Sequence, residues 1–288
     1  MTRFVFIADT HFGTERMGFE QQPGYPGRLD ELVPLLEHWI ARDGHIDFVL
    51  HAGDLLDACD PGRIQGAAAL FAFPVPFYVC LGNHDLTRPD SAALWLEHAP
   101  HLFEPGSIHF EIVRDDAVVH VIPNHWDVDD FHWKDVQHAR WAPAQTQRIA
   151  RVLRRFPDRP HILCTHSQVF GIPPEQSGAP DWQHVPLASF RDTVLAVLDE
   201  NPAVCCVLGG HNHANTIAPA GAAIAVTVSA FSSVPFEFRL IEIDGNRLSV
   251  TTHDLLAEVS FPTEYDAASA FVQGRPSDRT CTVMLESP

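Results

Sequence analysis

The chain has 288 residues, enough for one large α/β domain or two small ones with a sizeable buried core. Its 19 Lys and Arg against 37 Asp and Glu give a formal net charge of −18. That balance argues against a nucleic-acid or membrane-surface protein, because phosphate-rich surfaces are bound by dense Lys and Arg.

The predicted elements alternate between strand and helix. Arg3 to Ala8 is an apolar strand; with no secretory leader before it and no apolar run near the ~20 residues that cross a bilayer, the expected location is cytoplasmic. The loop Phe12 to Gly27 is rich in Gly and Pro. Leu32, Leu35, Leu36, Trp39 and Ile40 recur at helical spacing within Leu29 to Arg42, and Asp43-Gly44 ends that helix. Strand Phe48 to His51, a short helix around Arg63 to Phe71 and strand Phe77 to Leu81 follow. Ile108 to Val113 and Val118 to Ile122 pair across Arg114 to Asp116. Asn124 to Trp141 holds three Trp and three His. A helix over Pro143 to Arg155 starts with Pro in its first turn, where Pro is tolerated. Strand His161 to Cys164, a Gly/Pro-rich loop over Val169 to Val185, a helix over Leu187 to Asp199 and strand Val204 to Leu208 come next. Ile224 to Ser229, Phe236 to Ile243 and Leu248 to His253 read as strands, the last two joined at Asp244-Gly245-Asn246, and suit a second sheet packed on the first. Residues 256–288 lack strong periodicity and are expected to be a packed or partly disordered tail. The six cysteines show no Cys-x-x-Cys spacing and read as small apolar filler in a reducing compartment.

Five of the apolar runs end in a polar residue suited to metal. Asp9 opens Asp-Thr-His, Asp54 sits in Gly-Asp, Asn83 in Gly-Asn-His-Asp, His166 stands alone, and His211 opens His-Asn-His after Gly210. In open α/β sheets ligand chemistry gathers at the carboxyl ends of strands. Asp9, His11, Asp54, Asn83, His166, His211 and His213 offer carboxylate, imidazole and amide oxygen together. That mixture suits borderline ions such as Mn, Fe or Zn, whereas calcium prefers all-oxygen ligands. Seven ligands exceed the four of one tetrahedral zinc and fit two divalent or trivalent ions if one carboxylate bridges. Two metals roughly 3.5–4 Å apart clamp the attacking and leaving oxygens of a displacement at phosphorus and supply a bridging hydroxide as nucleophile.

These blocks resemble the calcineurin-like metallophosphoesterase superfamily, whose pattern is Asp-x-His, Gly-Asp, Gly-Asn-His-Asp/Glu, a lone His, then Gly-His-x-His. The resemblance spans residues 1–255 and implies one α/β domain, a four-layer α/β/β/α sandwich of two mixed sheets with flanking helices. It implies that Asp9, His11, Asp54 and His213 hold one metal and Asp54, Asn83, His166 and His211 the other, with Asp54 bridging. His84 is then the catalytic acid, which hydrogen-bonds the phosphoryl group and protonates the leaving alkoxide, and Asp57 is the carboxylate that orients it.

Outside the ligand set, His51, His120 and His161 read as core, and His109 and His253 as strand-surface residues. Trp126, Trp133 and Trp141, with His125, His132 and His138, form either an amphipathic cover helix or a substrate wall. His125 is the candidate there for a phosphate or leaving-group contact, and the loop Phe12 to Gly27 forms the opposite wall, with Arg16 as its phosphate-binding candidate. Asn83 and His84 are also expected to touch substrate. Trp126 to Trp141 and residues 256–288 are the candidate surfaces for a homo-oligomer.

The expected function is hydrolysis of a phosphate ester, most like small bacterial phosphodiesterases of the class III cyclic-nucleotide and glycerophosphodiester group acting on a small soluble substrate. Thr165-His166-Ser167-Gln168 departs from the His-His-Pro of many cyclic-nucleotide members. A phosphomonoesterase or a nuclease of the same superfamily would use the same ligands; a repair nuclease would want a basic DNA groove, which is not evident. The Ser/Thr phosphatase branch carries Gly-Asp-x-x-Asp-Arg-Gly, whereas Ala58-Cys59 follow Asp57 here. A non-catalytic binding scaffold is disfavoured because every expected ligand position is intact.

Overall fold

A computed structural model of the chain describes residues 1–103, 106–126 and 131–285. Its strands are β1 (Thr2–Ile7), β2 (Phe48–His51), β3 (Phe77–Val79), β4 (Phe110–Val113), β5 (Val118–Val121), β6 (His161–Cys164), β7 (Val204–Gly209), β8 (Thr216–Ala220), β9 (Ala223–Thr227), β10 (Glu237–Asp244), β11 (Arg247–Asp254) and β12 (Thr280–Met284). Its α-helices are α1 (Leu29–Asp43), α2 (Pro61–Leu70), α3 (Ser91–His98), α4 (Pro143–Arg155), α5 (Pro174–Ser177), α6 (Ala188–Glu200) and α7 (Pro276–Arg279). The strands form two six-stranded mixed sheets, ordered β12-β11-β10-β1-β2-β3 and β4-β5-β6-β7-β9-β8, with flanking helices. This is the two-sheet α/β fold the motifs imply.

Each sheet has a parallel heart. β1, β2 and β3 run parallel, as do β5, β6, β7 and β9. Helical crossovers α1, α2, α4 and α6 connect successive parallel strands. Parallel strands need such crossovers and are covered on both faces, so β2, β5, β6 and β7 are buried at every residue. The crossover helices have local causes. In α1, Leu29, Leu32, Val33, Leu36 and Ile40 face the core, and the helix ends at Gly44, which takes a left-handed φ of 75° that costs glycine little. Asp60 caps α2 by accepting from Arg63 N at 3.0 Å, with Pro61 at the first position.

The C-terminal strands do not form a separate sheet. β9 joins β7 in parallel, while β10 pairs antiparallel with β1 and carries β11 and β12 with it. β10 pairs edge to edge with β1 by main-chain hydrogen bonds, and one strand run is thereby divided between both sheets. Arg239 of β10 crosses the gap: fully buried, it donates to Thr227 O at 2.8 Å and to Asp278 O at 2.8 Å. Residues 280–284, within the stretch without periodicity, are the edge strand β12 on β11. Among the described residues no helix is long and apolar enough to cross a membrane.

Candidate metal centre

The carboxyl ends of β1, β2, β3, β6 and β7 deliver all seven predicted ligands to one place. Main-chain bonds tie these exits together: Asp9 N to Gly53 O at 3.0 Å, His11 N to Asp54 O at 3.0 Å and Gly210 N to His166 O at 2.8 Å. Asp9, His11, Asp54, His211 and His213 all hold left-handed φ values between 51° and 68°. Non-glycine residues avoid that region at a cost of about 1–3 kcal/mol each, and such strain collects at functional sites. Among the described residues only Phe131, His184 and Phe236 are the other non-glycine cases.

The donors form two adjoining sets. Asp9, His11 and His213 place ligand atoms within 4.8 Å of one another, and so do Asp54, His166 and His211. His11 Nε2 lies 3.5 Å from His213 Nε2, and His213 Nε2 lies 3.5 Å from Asp9 Oδ1. Around His166 Nε2 stand Asn83 Oδ1 at 3.1 Å, His211 Nδ1 at 3.2 Å and Asp54 Oδ2 at 3.3 Å. His166 Nδ1 donates to Ala52 O at 2.7 Å, so Nε2 is the ring nitrogen turned to the convergence point. Gly82 is required by contact. A side chain there would press on Asp54 Oδ1 and Asp54 N and come within 2.9 Å of His166 Cε1.

The charges favour a cation at this spot. Burial presses His166 towards its neutral form, but Asp54 and Asp9 outweigh it and raise the group to about 10. Burial raises the Asp9 and Asp54 carboxyls, and the facing histidines prevail, leaving Asp9 lowered and Asp54 well below the ordinary range. Burial and the neighbouring His166 push His211 down to about 3. Two carboxylates and converging imidazole nitrogens, buried except for the half-buried His211, therefore fit borderline divalent ions.

His84 lines the cavity beside the ligands and is held on three sides. Its ring lies 4.8 Å from His11 edge-on and 4.9 Å from Trp133, and its main-chain N donates to Asp54 Oδ1 at 2.8 Å. Burial lowers its pKa, but the Asp54 charge and the Asp57 carbonyl more than offset this and leave it raised. Asp57 meets His84 differently from the expectation. Its main-chain carbonyl accepts from His84 Nδ1 at 2.7 Å, whereas its carboxylate stands 4.0 Å from that nitrogen and 3.7 Å from His11 Nδ1. The turn after Asp54 brings the backbone closer than the side chain, and the carbonyl fixes the tautomer equally well, leaving Nε2 to the cavity.

Two further residues support the ligands: Asp85, the last residue of the Gly-Asn-His-Asp block, and Asn124, which carries no motif signal. The buried Asp85 carboxylate accepts from Gly82 N at 2.9 Å, Leu56 N at 2.9 Å and Leu55 N at 3.3 Å, so it clamps the Asp54 and Asn83 loops together. Asn124 Oδ1 accepts from both His166 N and Ser167 N at 2.9 Å and pins the exit of β6. A polar residue at the end of a buried strand, as Asn124 follows β5, is the signal that could have marked it. His51 is a core support: Gly53 N donates to its Nδ1 at 3.1 Å, so its Nε2 donates to Thr10 Oγ1 at 3.1 Å.

Above the ligands is a cavity of about 300 Å³. Phe19, from the loop after His11, forms one wall as expected of that loop. Arg16 does not take part: its side chain is 84% exposed and pairs with Glu20 at 3.6 Å, because the loop turns it to solvent. His125 does not line the cavity either. Main-chain bonds to Arg140 and a ring contact of 3.8 Å with Phe131 hold it back in the wall. The Trp/His segment is irregular over 131–142 rather than a cover helix, and its residues 127–130 lie outside the described ones. It nonetheless borders the site: Trp126 packs 5.3 Å from His211 and 6.0 Å from His166, Trp133 on His84, and Gln137 lines the cavity. Trp141 turns away to Thr146 and Phe190.

Two mixed sheets whose parallel strands converge on buried His, Asp and Asn donors define a metallohydrolase architecture. The family model for calcineurin-like phosphoesterases matches residues 2–215, and the chain belongs to that family. The family depends on a dinuclear metal centre, and the two donor sets are the candidates for it here. Among curated proteins the chain is similar to the DNA double-strand break repair protein Mre11 of Haloferax volcanii, 32% identical over 127 residues, and to that of Sulfurisphaera tokodaii, 31% over 99 residues. These matches cover 41% and 32% of this chain but only 26% and 24% of the relatives, so the chain matches about a quarter of their length. Among solved structures, a dimetal phosphatase from Danio rerio superposes with a TM-score of 0.68 at 15% identity, covering 99% of both chains, a likeness of fold.

Proposed function

We propose that the chain is a metal-dependent phosphoester hydrolase acting on a small phosphodiester. The observation that carries the proposal is the pair of buried donor sets, with most of their residues in left-handed conformations, at the floor of a cavity that His84 also lines. In this reading Asp9, His11, Asp54 and His213 would hold one ion, and Asp54, Asn83, His166 and His211 the other. Bound there, two ions supply Lewis acidity and activate a water at neutral pH.

The chain's own residues do the rest. His84, its Nδ1–H given to the Asp57 carbonyl, presents Nε2 to the phosphoryl group and passes a proton to the leaving oxygen. Trp133 and His11 fix the ring's direction, and Asn124 and Asp85 fix the loops that carry the ligands. Trp126 keeps water from the side of His211 and His166. Size and charge support a small diester. The cavity is at the lower end of small-molecule sites, and its lining residues include no Lys or Arg. A monoester carries about −1.5 to −2 charges at neutral pH and a diester only one, so the diester asks less of a cavity lined, among the described residues, by no Lys or Arg.

The names of the curated relatives support a second reading, a nuclease. The expectation that nucleic acid plays no part rests on net charge, and these relatives withdraw that exclusion. The test is hydrolysis of bis-p-nitrophenyl phosphate, p-nitrophenyl phosphate and a DNA oligonucleotide, with Mn added and with chelator. Chelator-sensitive diester cleavage exceeding monoester cleavage is expected. Monoester preference would overturn the diester assignment, and efficient DNA cleavage would transfer it to the nuclease reading.

A further inference from the structure

The cavity lining is of two kinds: the ligand cluster, and beside it Phe19, Val185 and Pro186 with the amides of Gln137 and Gln168. Phe19 is 44% exposed and Val185 55% exposed, unusual for large apolar side chains beside a polar centre. Neither is a stray surface residue. The Phe19 ring is braced 5.2 Å from the His213 ring and 5.3 Å from the His184 ring, which leaves nearly half the residue open. The Val185 wall is fixed from behind: Ile172 and Gln183 exchange main-chain bonds at 2.8 and 3.0 Å, and Gly171 lies so close that a side chain there would strike Gln183 O. His184 takes a left-handed φ of 53° within this wall.

We propose that the substrate's organic group carries a flat, uncharged ring that packs on Phe19 against the Val185–Pro186 wall, with its phosphoryl group on the ligand cluster; this rests on the phosphoester-hydrolase reading above. Phe19 touches the His213 ring, so a ring on it lies within one short linker of the reacting phosphorus. A flat ring gains from an aromatic face and pays little conformational entropy. A charged or polyphosphorylated group finds no Lys or Arg among the lining residues. The exposed Gln137 amide suits the polar edge of a base, whereas the buried Gln168 amide donates to His184 O and braces the wall; a plain aryl group would use the same walls.

The test is competition against bis-p-nitrophenyl phosphate hydrolysis by the Mn-loaded enzyme. The key pair is the methyl ester of a nucleoside 5′-phosphate and the methyl ester of ribose 5-phosphate, identical except for the ring. A second pair is 2-phenylethyl methyl phosphate and ethyl methyl phosphate. The ring-bearing member of the first pair is expected to have an inhibition constant at least about fivefold lower, from the range of ring-stacking gains. In Phe19→Ala the ring-bearing constant rises to within about twofold of the ringless one. The ringless constant and the metal content per chain do not move. A comparable gain in the second pair assigns the preference to any flat ring; a gain confined to the first assigns it to a base read by Gln137. Equal constants in the first pair, while the chromogenic diester is hydrolysed, overturn the proposal, as does a preference that survives Phe19→Ala. Failure to hydrolyse any chromogenic ester fails the hydrolase reading itself and takes this inference with it.

Discussion

Replacing Asp85 by Ala removes a side chain that holds two ligand loops at once. Its carboxylate accepts from Leu55 N and Leu56 N, just after Asp54, and from Gly82 N, just before Asn83, and it is fully buried. Without it up to three buried N–H groups lose their acceptor. Leaving one buried donor unpaired costs roughly 1–3 kcal/mol, and the Leu55 contact at 3.3 Å is the weakest of the three. A loss of about 3–5 kcal/mol follows. At about 2–3 °C per kcal/mol for a chain of this size, the thermal midpoint falls by about 6–15 °C. Displacing Asp54 and Asn83 also weakens metal binding about 10–100-fold, the usual effect of losing a ligand's support. Asp85→Asn, which keeps one accepting oxygen, falls between. The assay is thermal unfolding by circular dichroism, with metal content read by mass spectrometry on the same samples. An Asp85→Ala protein with its midpoint unchanged within about 2 °C and its full metal complement would refute the clamp.

His84→Ala keeps both metals and the fold but loses activity by about 10²–10⁴-fold, the usual contribution of a general acid; metal content beside steady-state rates checks this, and metal loss with the fold intact would count against the role. Gly82→Ala forces a side chain into Asp54 and His166, so it abolishes metal binding while a soluble folded chain remains visible by circular dichroism; a variant that still binds metal would show the contact to be relaxed. The buried His120–His161 pair predicts an acid-sensitive limb away from the site. His120 Nε2 and His161 Nδ1 are 2.8 Å apart, with His161 Nε2 on Phe156 O at 2.9 Å. Burial holds His161 below the ordinary histidine value and His120 well below it. Below about pH 6.5 the unfolded chain therefore binds more protons than the folded one. The stability these groups contribute is complete above that pH and is lost as pH falls, at up to about 2.7 kcal/mol per pH unit for two groups. Urea unfolding at pH 7.5 and 5.5 should show a shallower loss in the double variant His120→Leu/His161→Leu, and an equal loss would contradict the assignment.

The parts of this structure that were legible in the sequence are those where periodicity and chemistry coincide. The five strand exits were readable because buried parallel strands must be continuously apolar, so a following Asp, Asn or His stands out. β8 and α3 went unread. Thr216–Ala220 carries Pro219 and only weak alternation, and Ser91–His98 is two turns long with its apolar residues bunched. β12 is a five-residue edge strand whose burial alternates only between exposed and intermediate, so its sequence has no reason to alternate strongly. The division of the C-terminal strands between two sheets depends on β10 finding β1, a pairing more than 200 residues apart that no local pattern encodes. At the site the same limit applies. Asp9, His11, Asp54, Asn83, His84, His166, His211 and His213 were visible as blocks, but whether Asp57 meets His84 by side chain or by carbonyl is a matter of turn geometry. Arg16 and His125 were plausible by nearness in sequence and are turned away by their loops. Asp85 and Asn124 act through backbone N–H groups of residues elsewhere in the chain, contacts that appear only once the fold is formed.

The central claim is that Asp9, His11, Asp54, Asn83, His166, His211 and His213 together hold two ions that phosphoester hydrolysis requires. Titration of metal-stripped protein with Mn, with bound metal and bis-p-nitrophenyl phosphate turnover followed in the same samples, tests it most directly. Saturation at two ions per chain, activity that appears as the second site fills, and loss of both in Asp54→Ala are expected. Turnover by the metal-stripped protein, or saturation at a single ion with full activity, would contradict it.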